Sequence, residues 1–212
     1  MACNPQPGPL VLASASPRRR ELLTALGVPI DVRPAAVDET PPAGVTPEQA
    51  VRLIADRKAL AAAGNGQGIV LTADTIVVLE GRILGKPEDE AAARVMLDTL
   101  AGREHEVITA VALATPADRR VESVRTGVLV RRYTPAEVEA SIAAGTPFDK
   151  AGGYAIQDSL LQPVERCDGC YCNVVGLPLW TVYGMVRGLF PITSPAAVFA
   201  RCAACPLRPD AA

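Results

Sequence analysis

The eleven residues IVLTADTIVVL, 69 to 79, constrain the fold most, because they are apolar on both alternating faces except at one point. A run this rich in β-branched residues predicts a strand buried on both sides. Asp74 interrupts it, pointing the same way as Thr72 and Ile76. A lone buried carboxylate is costly, so Asp74 needs a cation, a metal or hydrogen bonds. A structural aspartate capping a neighbouring loop would also meet that need; a functional carboxylate is the preferred reading. Glu80-Gly81 after the run predicts a hairpin turn into Ile83 and Leu84.

Helices are expected around this strand. A short strand at 11–13 is followed by Ser14-Ala15-Ser16, and Ser16 with Pro17 starts a helix that Gly27 ends. Thr46-Pro47-Glu48-Gln49 is a capping box for a helix reaching about Ala63 and stopping at Gly64-Asn65-Gly66. A third helix follows Pro87 and ends near Leu100, and strands are expected at 106–113 and 122–132. Thr134-Pro135-Ala136-Glu137 starts another helix ending by Gly145, 147–157 reads as a loop with a short strand or turn, and a last helix covers about 178–189. Strands and helices interleave, so the class is α/β, and the hairpin makes the sheet mixed.

Arg18, Arg19 and Arg20 crowd the first turn of the first helix. Cations there oppose the helix dipole, unless an anion in front of the helix offsets the repulsion. Successive helical residues point ~100° apart, so all three cannot face one ligand. A solvated basic patch is the bland alternative. Lys58 falls on the apolar stripe of Val51, Ile54 and Ala55, where it either snorkels to water or meets an anion. A triphosphate accounts for the set: cations neutralise phosphate, and carboxylates hold a divalent cation or orient a water.

The formal net charge of -2 argues against a general nucleic-acid binder. No apolar run approaches the ~18 residues of a membrane span, and MACNPQPGPL does not read as a signal peptide, so a cytoplasmic location is expected. Of six cysteines, five lie beyond residue 166. Cys167, Cys170, Cys202 and Cys205 could carry a structural zinc, although free thiols are the preferred reading. His105, the only histidine, is read as a structural hydrogen-bonding group, and Trp180 with Tyr183 as core or dimer contacts.

In order along the chain, LASASPRRRELL (12–23), VDE (37–39), DRKA (56–59), ADTIVVLEGRILGKP (73–87), LAGREHEVITAVAL (100–113), DKAGGYAIQ (149–157) and VVGLPL (174–179) resemble the Maf-like nucleotide pyrophosphatases. The resemblance covers most of 11–190, between an N-terminal extension (1–10) and a C-terminal tail with CxxC (191–212). It implies an elongated mixed-sheet fold like that of inosine triphosphate pyrophosphatase, with a cleft between two lobes. It implies hydrolysis of the α–β phosphoanhydride of nucleoside triphosphates, aided by magnesium or manganese. Asp74 matches the proton acceptor, Glu39 a carboxylate near the metal beside Asp74, and Lys58 and Lys86 lysines facing the phosphates. Arg18 matches a phosphate-binding and specificity residue, with Ser16 and Arg19 assigned to the substrate beside it. Thr75 and Gln157 match positions linked to base choice. AGGYAIQ is similar to the branch acting on dTTP and UTP, whereas the following DSLLQPVERCDGCYCN departs from that branch beside the expected base pocket. The family is also associated with clearing noncanonical nucleotides and with division arrest, and a homodimer is implied. A nucleotide-binding division regulator with little catalysis and a zinc-stabilised interaction module stay open as alternatives.

Overall fold

A computed structural model describes residues 8–64 and 68–209. Its strands are β1 (Leu10–Leu12), β2 (Ile30–Val32), β3 (Val70–Leu79), β4 (Arg82–Leu84), β5 (Glu104–Ala114), β6 (Arg119–Val130) and β7 (Val164–Asp168). They form one mixed sheet in the order β2-β1-β3-β5-β6-β7, with β4 also paired to β3. β1 runs parallel to β2 and β3, and the remaining pairs are antiparallel. The α/β class and the mixed sheet expected from the sequence are therefore observed.

The helices start where capping chemistry places them. In α1 (Pro17–Ala25) the Ser16 hydroxyl accepts from the Arg19 amide, and Gly27 follows at φ 78°. In α2 (Pro47–Ala63) and α4 (Pro135–Ala143), Thr46 and Thr134 form complete capping boxes with Gln49 and Glu137. Each box satisfies backbone donors that a helix start would otherwise leave open. Gly64 closes α2 at φ 49°, whereas Asn65 and Gly66 of the expected stop lie outside the described residues. The Asp89 side chain caps α3 (Glu90–Leu100). Glu80 and Gly81 both take positive φ, 49° and 78°, as the favoured two-residue hairpin requires. The expected loop at 147–157 contains a 3-10 turn at Ala151–Gly153.

Beyond the expected elements lie β2, β7 and the short helices α5 (Tyr171–Val175), α7 (Pro195–Val198) and α8 (Ala200–Ala203); the expected helix at 178–189 is α6 (Leu179–Val186). The segment 191–209 packs into the core through Cys202 and Cys205, and the Trp180 indole donates to the Cys202 carbonyl at 2.9 Å. Trp180 is a core residue, edge-on to Tyr183.

Strand alternation distributes the core over the two faces of the sheet. On one face Ile76, Val78, Ile108, Ala110 and Ala112 pack against Val51, Ala55 and Ala59 of α2. On the other face the apolar residues form two separate clusters. Leu71, Ala73, Val111, Leu113 and Val124 join α1, α6 and the C-terminal segment, whereas Val77, Leu79, Val107, Val128 and Val130 join α3 and α4. Between these clusters, at the intervening positions of β3, β5 and β6, stand Thr75, Thr109 and Thr126.

Candidate active-site cleft

The cleft opens at an unpaired stretch of sheet edge. β3 pairs with β1 through Val70 and Leu71 and with β4 from Val77 onward. Among the described residues no strand covers that side of 72–76. Side chains from both faces of β3 therefore reach one space, and Asp74 and Thr75, although they alternate, line the same cleft. Its volume is about 580 Å³, in the range of small-molecule sites.

The nine residues singled out in the sequence (Ser16, Arg18, Arg19, Glu39, Lys58, Asp74, Thr75, Lys86 and Gln157) all line this cleft. Lys58 joins Asp74 to Glu39: its Nζ donates to Asp74 Oδ1 at 2.6 Å and lies 2.9 Å from Glu39 Oε1. The Lys58 and Asp74 side chains are 9% and 11% exposed, so water screens this pair little. Asp74 thus has the cation that its burial demands, and Lys58 meets anions rather than solvent. Desolvation alone would raise the Glu39 carboxyl pKa, but the Lys58 hydrogen bond and the charges of Lys58, Lys86 and Arg19 outweigh it and hold it below the usual range.

Arg19 turns inward from α1. Its Nε donates to the Gly176 carbonyl at 2.8 Å, Nη2 to Thr75 Oγ1 at 2.9 Å and Nη1 to Ser14 Oγ at 3.3 Å. A guanidinium has five N–H donors, so two remain for a ligand. Burial lowers its pKa, and the charges of Asp74 and Glu39 oppose that shift. Arg18 lies at the mouth of the cleft, 3.4 Å from Asp149, and the Asp149 carboxylate also holds Lys150. Arg20 is exposed and lies outside the lining. Lys86 and Gln157 are exposed lining residues.

Asp149, Lys150 and Tyr154 also line the cleft and were not singled out in the sequence. Asp149 and Lys150 sit beside glycines in a loop, where a charged pair carries no periodic signal. Gly152 sits at φ 73°, and its amide donates to the Gly85 carbonyl at 3.0 Å; a Cβ there would lie 3.0 Å from Val77. Glycine is what lets this loop close onto β3.

Two readings need correction. The segment after Gln157 does not line the cleft: lining residues stop at Gln157 and resume at Val174, while β7 pairs with β6 at the sheet's far edge. The zinc set Cys167/Cys170/Cys202/Cys205 is not assembled either. Cys167 lies half-buried on β7, Cys202 instead meets Cys172 at 3.6 Å, and among the described residues no group of three or more donors could hold a metal. Cys167 and Cys170 lie on either side of a turn at Gly169, φ 135°. His105 lies outside the cleft; its Nε2 is 2.6 Å from the Tyr154 hydroxyl, and burial lowers its pKa from 6.5 to about 4.

An α/β sheet interrupted at one edge, with a buried Lys–Asp pair and the inward Arg19 in the gap and Arg18 at its mouth, defines a protein with a cleft for a polyanionic ligand. Residues 9–189 match the model of the family described as Maf-like protein, and the chain belongs to that family. It is 52% identical over 205 residues to the dTTP/UTP pyrophosphatase of Thermomicrobium roseum, covering 94% of each chain. The dTTP/UTP pyrophosphatase of Syntrophomonas wolfei is 49% identical, over 82% of this chain and 94% of its own. That of Salinibacter ruber is 47% identical, over 86% and 91%. The solved Staphylococcus aureus Ham1 protein gives a looser likeness, with a TM-score of 0.47 and 15% identity over 85% of this chain and 99% of its own.

Proposed function

We propose that this chain hydrolyses nucleoside triphosphates, dTTP and UTP in particular, at the α–β phosphoanhydride to give the monophosphate and pyrophosphate. The observation that carries the reading is the buried Lys58–Asp74 pair in a cleft that Arg18 and Arg19 also line. The preference for dTTP and UTP rests on the names of the relatives and on Thr75 and Gln157 lining the same cleft.

Lys58 holds Asp74 Oδ1, which turns the other carboxylate oxygen into the acceptor for a proton from the attacking water. The water adds to phosphorus, the bridging oxygen leaves with pyrophosphate, and Asp74 takes the proton. The two N–H groups of Arg19 left without a partner among the described residues, with Arg18, Lys58 and Lys86, neutralise phosphate oxygens as charge moves onto the leaving group. Ser16 caps the helix whose N-terminus faces the cleft, a position suited to an anion. Glu39 and Asp74 are hard oxygen donors, two in number, which suits a magnesium or manganese ion that keeps waters and substrate oxygens as its other ligands. Such an ion would be held by these two carboxylates and would supply further neutralisation of phosphate charge.

The test is a panel of triphosphates with magnesium, measured by released pyrophosphate. Pyrophosphate release from dTTP and UTP is expected, and Asp74→Asn should reduce turnover by about a thousandfold or more with folding kept. Full activity of Asp74→Asn removes Asp74 from the mechanism, and tight triphosphate binding without hydrolysis favours a regulatory role instead. A cytoplasmic location and a homodimer belong to the same proposal; light scattering on the purified chain measures the second. Among the described residues no helix is long and apolar enough to cross a membrane.

A further inference from the structure

Thr75 Oγ1 stands in a chain of hydrogen bonds whose direction its two ends determine. Arg19 Nη2 lies 2.9 Å from Thr75 Oγ1, Thr75 Oγ1 lies 2.9 Å from Thr109 Oγ1, and Thr109 Oγ1 lies 2.9 Å from the Asn173 carbonyl. A carbonyl oxygen only accepts, so the single Thr109 hydroxyl proton goes to Asn173. Thr109 then has no proton for Thr75, and Thr75 must donate to it. A guanidinium only donates, so Arg19 gives a second hydrogen bond to Thr75. The Thr75 proton is thereby committed and one lone pair is taken. What the hydroxyl still offers to the cleft it lines is a single lone pair.

The anchoring end cannot turn away. Thr109 is fully buried, and so is Asn173. The Asn173 side-chain amide donates to the Val107 carbonyl at 3.0 Å and to Thr126 Oγ1 at 2.9 Å. The Asn173 backbone carbonyl accepts from the Gly176 amide at 2.9 Å as well as from Thr109. Reversing the chain would leave a buried carbonyl lone pair without its partner.

We propose that Thr109, which does not line the cleft, is a positioning residue that locks Thr75 as an acceptor, so that the cleft selects a ligand group able to donate a hydrogen bond. The inference rests on the nucleotide reading above and deepens it. Uracil and thymine carry an N–H at ring position 3, whereas cytosine presents a bare nitrogen there. Against a Thr75 that cannot donate, cytosine sets two acceptors face to face. A site that hydrogen-bonds one partner discriminates strongly against an analogue that lacks the matching group.

The test compares kcat/KM for UTP and CTP in the unaltered protein, Thr109→Val and Thr109→Ser, with a thermal melt of each. The unaltered protein should favour UTP. Thr109→Val frees the Thr75 proton to turn toward the cleft, so the UTP:CTP ratio should fall about tenfold, the size expected for one hydrogen bond. Thr109→Ser keeps the chain and should hold the ratio within about twofold. If Thr109→Val does not fold, Thr75→Val and Thr75→Ser take its place: the ratio collapses in the first and survives in the second. Equal losses on both substrates, collapse in Thr109→Ser, or no UTP preference in the unaltered protein overturns the Thr75 proposal alone. Absence of turnover of any triphosphate by the unaltered protein overturns the nucleotide reading and this proposal with it.

Discussion

At the scale of single residues, the buried charges are held by one another. Lys58 supports two carboxylates, so removing it leaves Asp74 buried without its cation. Breaking one side of such a pair costs about 3–5 kcal/mol. Lys58→Met should therefore lower the urea midpoint as well as activity, whereas Asp74→Asn should lower activity far more than stability. His105 offers a second test, in the pH dependence of folding. Its pKa is 6.5 in its ordinary state and about 4 when buried, so below 6.5 the unfolded chain takes up a proton that the folded chain refuses. Its contribution is complete above 6.5 and is lost as the pH falls toward about 4. The loss should reach on the order of 3 kcal/mol across that window. Since the chain has no other histidine, His105→Gln should flatten this part of the curve in urea titrations. Asp74 and Lys58 were legible in the sequence because a charge on an apolar stripe demands a partner. Which partner each had was not legible, since α2 and β3 meet only in the folded chain.

At the scale of elements, the end of α5 sets the floor of the cleft. Gly176 sits at φ 111°, and a Cβ there would lie 3.3 Å from Thr75 Oγ1 and 3.6 Å from Arg19 Nε. Gly176→Ala should strain the backbone by about 1–3 kcal/mol and push Arg19 off its carbonyl anchor. A fall in kcat/KM of about tenfold, larger than the loss in melting temperature explains, is the expected result; unchanged kinetics would show that Arg19 needs no such anchor. Helix starts were readable because capping is local: Ser16, Thr46 and Thr134 act within three residues of themselves. The strands β2 and β7 were not. β7 reads VERCD, pairs among the described residues only with β6, and shows exposed or half-buried side chains along its length. An edge strand with so little buried surface leaves no apolar alternation to detect.

At the scale of the whole molecule, the C-terminal segment is part of the core. Cys202 and Cys205 are buried with Cys170, Cys172 and Phe190, and the Trp180 indole bonds to the Cys202 carbonyl. Ending the chain after Ser194 should remove this cover, red-shift the emission of the single tryptophan and lower stability by on the order of 3 kcal/mol. A chain shortened this way that kept its emission and its unfolding midpoint would show the segment to be dispensable. The sequence alone determined what is periodic or local: the α/β class, the hairpin, the capped helices, and the residue types that a phosphate cleft requires. Only the tertiary structure decided how the cleft is made. The gap between β1 and β4 on one edge of β3 lets Asp74 and Thr75 meet one space from opposite faces. That gap depends on which strands pair and where pairing stops. It is a sum of contacts between segments far apart in the chain, and no local pattern encodes it.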